Sequence, residues 1–242
     1  MTRDRSPRLP LVVLLIVLAP AVFAAKAGNK LDLVWTNPGY ADLAPRSIAF
    51  MPAVSWNNDL PSEHMAEDGA ASAIKGKAYR WVSPLTVQSL MGARPAADWV
   101  WKAQRAVIVK TGRIDSLAAP ALCASLRVRA LFTLRVDQLE RRDLEWNETG
   151  KPITQVQASA ALVDSTGALL WTASGSEVGE GQLQEAPSGM TRVDASGLGN
   201  KPATGTGKSP DPREVFSRMF IRWAERFPAP PGYTPPAEPA KP

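Results

Sequence analysis

The chain has 242 residues, a formal charge of +5 at neutral pH and 45% hydrophobic residues, enough for one domain of ordinary size with a real core and tails. Removing residues 1–24 takes three Arg and one Asp and leaves +3, with no Lys/Arg cluster interleaved with aromatics, so nucleic-acid binding is not indicated. The single Cys123 excludes an internal disulfide, and its apolar setting, PALCASL, reads as a small core residue rather than a reactive thiol.

Residues 1–24 read as an export signal. Arg3, Arg5 and Arg8 make a positive start, and Leu11 to Ala24 is an apolar run of 14, short of the ~20 residues a membrane span needs. Val22-Phe23-Ala24 or Ala25-Lys26-Ala27 offers small residues for cleavage. No Cys follows the run, which excludes a lipoprotein anchor at this site. An uncleaved signal would be the one route to the membrane.

Lys30 to Trp35 reads as a short strand, followed by the turn-rich TNPGY. Arg46 to Met51 reads as a second strand, and its continuous apolar character suits a position covered on both faces. Val54 to Asp59 reads as loop. Pro61 opens a helix through Lys75, with Glu63 in its first turn and a thin stripe of Met65, Ala66, Ala70, Ala73 and Ile74. So Ala-rich a stripe implies close approach to a sheet. Tyr79 to Val82 then reads as a strand, giving a βαβ unit with a right-handed crossover.

Further helices are expected over Pro84 to Met91, over Asp98 to Lys110, and from Pro120 with Leu122, Cys123 and Leu126 along one side. Ala130 to Ser176 reads as a three-strand antiparallel meander. In it Ala130, Phe132, Leu134 and Val136 alternate with more polar neighbours, as do Val156, Ala158, Ala160 and Leu162. Asp164-Ser165-Thr166-Gly167 supplies turn chemistry before Leu169, Leu170 and Trp171, and a sheet with one apolar face needs helices over it. Residues 182–210 read as a flexible loop, rich in Gly, Ser, Thr, Pro and Lys. Asp211, Pro212 and Glu214 mark a helix start, and Val215, Phe216, Met219, Phe220, Trp223 and Phe227 form its apolar face. Residues 229–242 read as an extended Pro-rich tail. The fold class is therefore α/β (α+β): a single domain over 25–228, a mixed sheet with an antiparallel three-strand meander and helices packed on it.

No reactive constellation assembles. His64 is the chain's one His and reads as a helix-surface residue, so neither a metal site nor a Ser-His-Asp arrangement has the parts. Glu140, Asp143 and Glu145, like Glu63, Glu67 and Asp68, read as solvated mixed-charge clusters. Gly205 to Ser209 imitates a phosphate loop, but Pro202 stands where that pattern requires Gly. Eight Trp are many for one domain. Trp99 and Trp101 lie two apart on one helix, so only one can face the core squarely. Trp56, one of that pair, and Trp146 beside the hairpin turn are the candidates for a partner surface.

The phrases VWTNPGY, RSIAFMP, EHMAEDGA, YRWVSP, VDSTGALLWTASGS and RWAERFPAP resemble bacterial envelope proteins with a small α/β domain. That group includes the curli-secretion lipoprotein, the amino-terminal domain of TolB and outer-membrane activators of penicillin-binding proteins. The resemblance spans Leu31 to Pro228 without the Gly/Ser loop, and departs from many members in lacking the anchoring Cys. It implies a mixed sheet with helices on it and protein–protein contacts at the envelope, with no catalytic residues.

The expectation is a periplasmic, non-enzymatic accessory or scaffold protein binding another envelope protein or assembly. It takes no cofactor, no metal and no nucleic acid, and nothing in the sequence sets its oligomeric state. Trp56, Trp99, Trp101 and Trp146 are the candidate interaction surface, with the sheet edge, the Trp146 hairpin tip or the 182–210 loop as the region engaged. The alternative is a small-ligand or glycan-binding module that stacks its ligand on exposed Trp rings. A hydrolase using Asp and Glu alone would need Glu140 and Asp143 facing each other in a cleft.

Overall fold

The computed structural model describes residues 32–43, 45–74, 76–145, 148, 150–184, 191–193, 200–202 and 206–230. The signal segment, Trp146 and residues 231–242 of the tail lie outside the described residues. A seven-stranded mixed sheet organises the domain. Its main order is β1 (Leu33–Thr36), β7 (Leu169–Glu180), β6 (Ile153–Asp164), β5 (Ala130–Arg142), β2 (Ser47–Phe50) and β4 (Arg80–Val82), and β3 (Val54–Ser55) pairs with β5 off that path. The half from β1 to β5 is antiparallel, whereas β4, β2 and β5 run parallel.

The meander follows its alternation. Ala130, Phe132, Leu134 and Val136 of β5 and Val156, Ala158, Ala160 and Leu162 of β6 all enter one buried cluster. The register shifts between Val136 and Gln138, which leaves Asp137 as the extra residue of a bulge. A second shift lies between Leu162 and Val163, where Leu162 pairs with Trp171 and Val163 with Leu169. Leu170 is the residue passed over, so Leu170 and Trp171 can share the same core cluster although they are sequence neighbours.

Helices α2 (Leu60–Ile74) and α6 (Pro212–Glu225) cover this face. Asp211 caps α6 by accepting from Arg213 N at 2.9 Å, with Pro212 at the first position. Val215, Phe216, Met219, Phe220, Trp223 and Phe227 are all buried, each stabilising the fold by about 1.5–3 kcal/mol. The Ala-rich stripe of α2 lies against α6 as well as the sheet. A Cβ added at Gly69 would come within 3.1 Å of Phe216 Cβ, so Gly is what the close approach of the two helices requires. A βαβ unit of β2, α2 and β4 is present, with β2 and β4 parallel. At the bottom of the cluster Tyr79 donates to the Pro228 carbonyl at 2.8 Å, so Tyr40 donates to the Tyr79 hydroxyl at 2.5 Å.

The other face is covered over its parallel half and over the Val163 and Leu169 end of the meander. There α3 (Pro84–Gly92), α4 (Pro95–Thr111) and α5 (Ala119–Leu126) form a second cluster with Ala49, Met51, Leu131 and Val163. All four β2 residues are buried, as expected of a strand covered on both faces.

One expectation is corrected, and two segments gain detail that the sequence reading did not include. Val54 and Ser55 are not loop: they pair with Arg135 and Val136, because β5 runs past the end of β2 and offers a free ladder. TNPGY leads into a short helix, α1 (Tyr40–Leu43), whose Tyr40 is anchored in the core. Within 182–210, β8 (Leu183–Gln184) pairs with β11 (Thr206–Gly207), and β9 (Thr191–Val193) with β10 (Asn200–Pro202). Residues 185–190, 194–199 and 203–205 lie outside the described residues.

The two ends of the domain are tied by one Arg. Arg222 of α6 forks onto Asp32, with Nε at 2.7 Å and Nη2 at 3.2 Å, and its Nη1 also donates to buried Glu177. Burial works to raise the Asp32 pKa, but the Arg222 hydrogen bonds and charge outweigh it and hold the carboxyl below its ordinary 3.8. The Trp223 indole also favours the ionised form, but its N–H makes no hydrogen bond among the described residues, and the Arg222 fork is what holds Asp32 in place.

Candidate functional site

Helices α3 to α5 reach past β5 only at the Val163 and Leu169 end of β6 and β7, so on that side most of the antiparallel half has no helix over it. The register sets its side chains in rows. One runs Trp35, Thr172, Ala161, Thr133; the next runs Leu33, Ser174, Ser159, Arg135. Small Ser, Thr and Ala residues between the large ends leave a trough of about 580 Å³, walled by the carboxy-terminal end of α4 at Thr111, Gly112 and Arg113. Gly112 caps α4 with φ 74°, a left-handed conformation suited to Gly, and passes over Ser159 and Arg135.

Leu33 is 71% exposed and Trp35 is 45% exposed, although Val34 between them is packed against the core. Large apolar groups held in water on a flat strand are the mark of a contact surface. Ser159 Oγ is buried in the trough lining without a hydrogen-bond partner among the described residues. Arg135 is not free to leave: Nη1 donates to Val109 O at 3.0 Å, and Nε pairs with Asp137. Among the described residues β1 is also the edge of the sheet, pairing with β7 alone, so one side of its backbone ladder has no described partner.

The Trp candidates read from the sequence separate. Trp56, after β3, is 68% exposed and Trp99, on α4, is 72% exposed. Trp101 is 6% exposed inside the second core cluster, so it leaves the candidate surface; residues two apart on a helix point about 200° from each other, and α4 turns Trp101 inward. Trp146 lies outside the described residues. Trp35 was not among the candidates, and the structure places it in the trough. The signal in the sequence is weak: Leu33, Val34 and Trp35 are apolar on both faces of a strand, and only the stacking of layers decides which face is covered.

The carboxylates behave differently from a solvated cluster. Glu63 is only 2% exposed; its Oε1 accepts from Ser55 N at 2.8 Å and Ser55 Oγ at 3.0 Å, and Arg105 Nη2 lies 3.1 Å from both of its oxygens. Glu67 accepts from Ala53 N at 2.7 Å, and burial pushes its carboxyl above the ordinary value. These two correct the expectation of a solvated helix face: the backbone after β2 presents N–H groups to α2, and the acids satisfy them. Asp68 and His64 are exposed, as expected.

Asp143 accepts from Ser209 Oγ at 2.6 Å and Ser209 N at 2.8 Å, and these bonds hold its carboxyl below the usual range. Glu140 is exposed and accepts from Gln138 at 3.3 Å. Burial pushes the Cys123 thiol up to about 12, with Asp164 adding to the effect. Among the described residues no group of three His, Cys, Asp or Glu is placed to hold a metal ion, and no helix is long and apolar enough to cross a membrane.

No protein-family model and no curated relative matches the sequence. Solved structures with partial likeness include the PelC dodecamer from Paraburkholderia phytofirmans, 16% identical over 79% of this chain and 94% of that one, with a TM-score of 0.40. Lipoprotein GNA1162 from Neisseria meningitidis is 18% identical, over 60% of this chain and 89% of that one, with a TM-score of 0.40. The hypothetical protein CT253 from Chlamydia trachomatis is 9% identical, over 76% and 95%, with a TM-score of 0.38. Likenesses of this size fall short of establishing a common fold.

Proposed function

We propose that the chain is a non-enzymatic accessory protein of the cell envelope, exported by its amino-terminal segment, that docks another envelope protein or assembly through the bare part of the antiparallel half of its sheet. The observation that carries this is the pairing of exposed Leu33 and Trp35 on an edge strand, beside a trough of small side chains. A partner strand can extend the sheet along β1, where main-chain hydrogen bonds supply affinity and the trough takes alternate side chains. The acids near one another serve structure, Glu63 in an ion pair and Asp143 on Ser209, which supports a role without catalysis.

The test is in-cell photo-crosslinking from position 172, which neighbours Trp35, with and without Leu33→Ser/Trp35→Ser. The expected result is a discrete crosslinked band lost in the double variant, while the melting temperature stays within a few degrees because both side chains already face water. Undiminished crosslinks in that variant, or a mature chain retained in the cytosol, would overturn the reading. The glycan-binding alternative is favoured by one feature, the Trp35 ring beside the Thr172 and Ser174 hydroxyls. Saturable quenching of Trp fluorescence by an oligosaccharide, abolished by Trp35→Ala, would select it.

A further inference from the structure

At the other end of the parallel strands, four exposed Arg from three separate stretches of chain line one open cavity. It has a volume of about 630 Å³ and is lined by Arg46, Arg80, Arg127 and Arg129, with Ser47 and Ser165 among them. Three of the four stand at strand starts: Arg46 just before β2, Arg80 first in β4 and Arg129 just before β5. Parallel strands begin side by side, so their opening residues gather on one rim. Arg127 joins them from the end of α5, held at φ 54°.

Among the described residues no carboxylate lines the cavity. Arg80 Nη2 donates to Arg127 O at 3.2 Å and so serves the last turn of α5. The guanidiniums of Arg46, Arg127 and Arg129 have no hydrogen bond or ion pair among the described residues. Asp164 acts on Cys123 beside the cavity, but it is buried and its Oδ1 accepts from Thr166 N, Thr166 Oγ1 and Ala168 N. The rim therefore holds four like charges, and among the described residues no carboxylate forms an ion pair with any of them. Elsewhere this fold pairs Arg readily, as at Glu63 and Asp32.

We infer that this cavity is a binding site for a phosphate-bearing anion, either a free phosphorylated compound or the headgroup of an anionic lipid. Guanidinium forks match phosphate oxygens in bidentate geometry, and the volume falls in the range of small-ligand sites. The site is separate from the trough and stands whether or not the docking role does.

The experiment uses the full chain with two probes. Pyrophosphate is titrated calorimetrically and by thermal shift. Vesicles of phosphatidylcholine with and without phosphatidylglycerol are tested by co-sedimentation. The variants are Arg46→Gln/Arg129→Gln and, separately, Arg127→Gly, which removes a guanidinium while easing the positive φ. Lys110→Gln/Arg142→Gln removes the same charge elsewhere. Wild type is expected to bind one probe, weakening as salt rises. Each rim variant should lower affinity about tenfold or more, and the Lys110→Gln/Arg142→Gln control less than about threefold, as fits the loss of charge-assisted contacts. Binding of pyrophosphate identifies a free ligand, and binding of phosphatidylglycerol vesicles alone identifies a headgroup. Failure of both probes, or equal loss in rim and control variants, would overturn the assignment.

Discussion

Replacing Arg105 with Met tests the buried ion pair beneath β3. Glu63 is 2% exposed, and Arg105 is its one cationic partner among the described ion pairs, lying 3.1 Å from its carboxylate. Removing one partner of a fully buried pair costs about 3–5 kcal/mol. Here Glu63 keeps both hydrogen bonds from Ser55, and the Arg105 side chain is 28% exposed, so water can reach the carboxylate. We expect about 2–3 kcal/mol for Arg105→Met. Glu63→Gln/Arg105→Met should cost less, about 1 kcal/mol, because Gln can still accept from Ser55 with no charge left stranded. The assay is urea unfolding at neutral pH, read as a lower midpoint with an unchanged slope. A loss under about 0.5 kcal/mol for Arg105→Met, or a double variant as unstable as the sum of the singles, would refute the reasoning.

Asp32→Asn should destabilise the domain by about 1–2 kcal/mol at neutral pH by breaking the Arg222 fork. Because the folded Asp32 pKa lies below its ordinary 3.8, its contribution is present above that value and lost as pH falls below it. Melting curves of wild type and Asp32→Asn should therefore converge in acid, and a gap that persists at the lowest pH where both fold would count against the account. Gly167→Ala should cost about 2–4 kcal/mol, since the new Cβ would meet Ser116 O at 2.3 Å and the residue sits at φ 88°. Thermal unfolding measures it, and a near-neutral result would mean the 164–167 turn does not seat on residue 116.

The meander and α6 were legible because their information is local. Val156, Ala158, Ala160 and Leu162 repeat every second residue, and Asp211 and Pro212 sit where a helix begins, so periodicity and capping chemistry suffice. Strand β3 was not, because two residues carry no period and exist as a strand only where β5 offers a ladder. The Trp candidates split for the same reason. Helical spacing required Trp99 and Trp101 to differ, but only packing decided that Trp101 faces in.

By itself the sequence determined the α/β class, the antiparallel meander, the covered central strand and the capped last helix, because each follows from a hydrophobic repeat or a cap within a few residues. Tertiary structure alone decided what meets across the chain. Glu63 finds Arg105, 42 positions on, and Asp32 finds Arg222, 190 positions on. Arg46 and Arg80 lie far in sequence from Arg127 and Arg129, yet strand starts brought side by side gather all four on one rim. Leu33 and Trp35 become a surface because the helices on their side cover the meander no further than its Val163 and Leu169 end. Which face stays bare depends on how layers stack, and no local pattern in β1 records it.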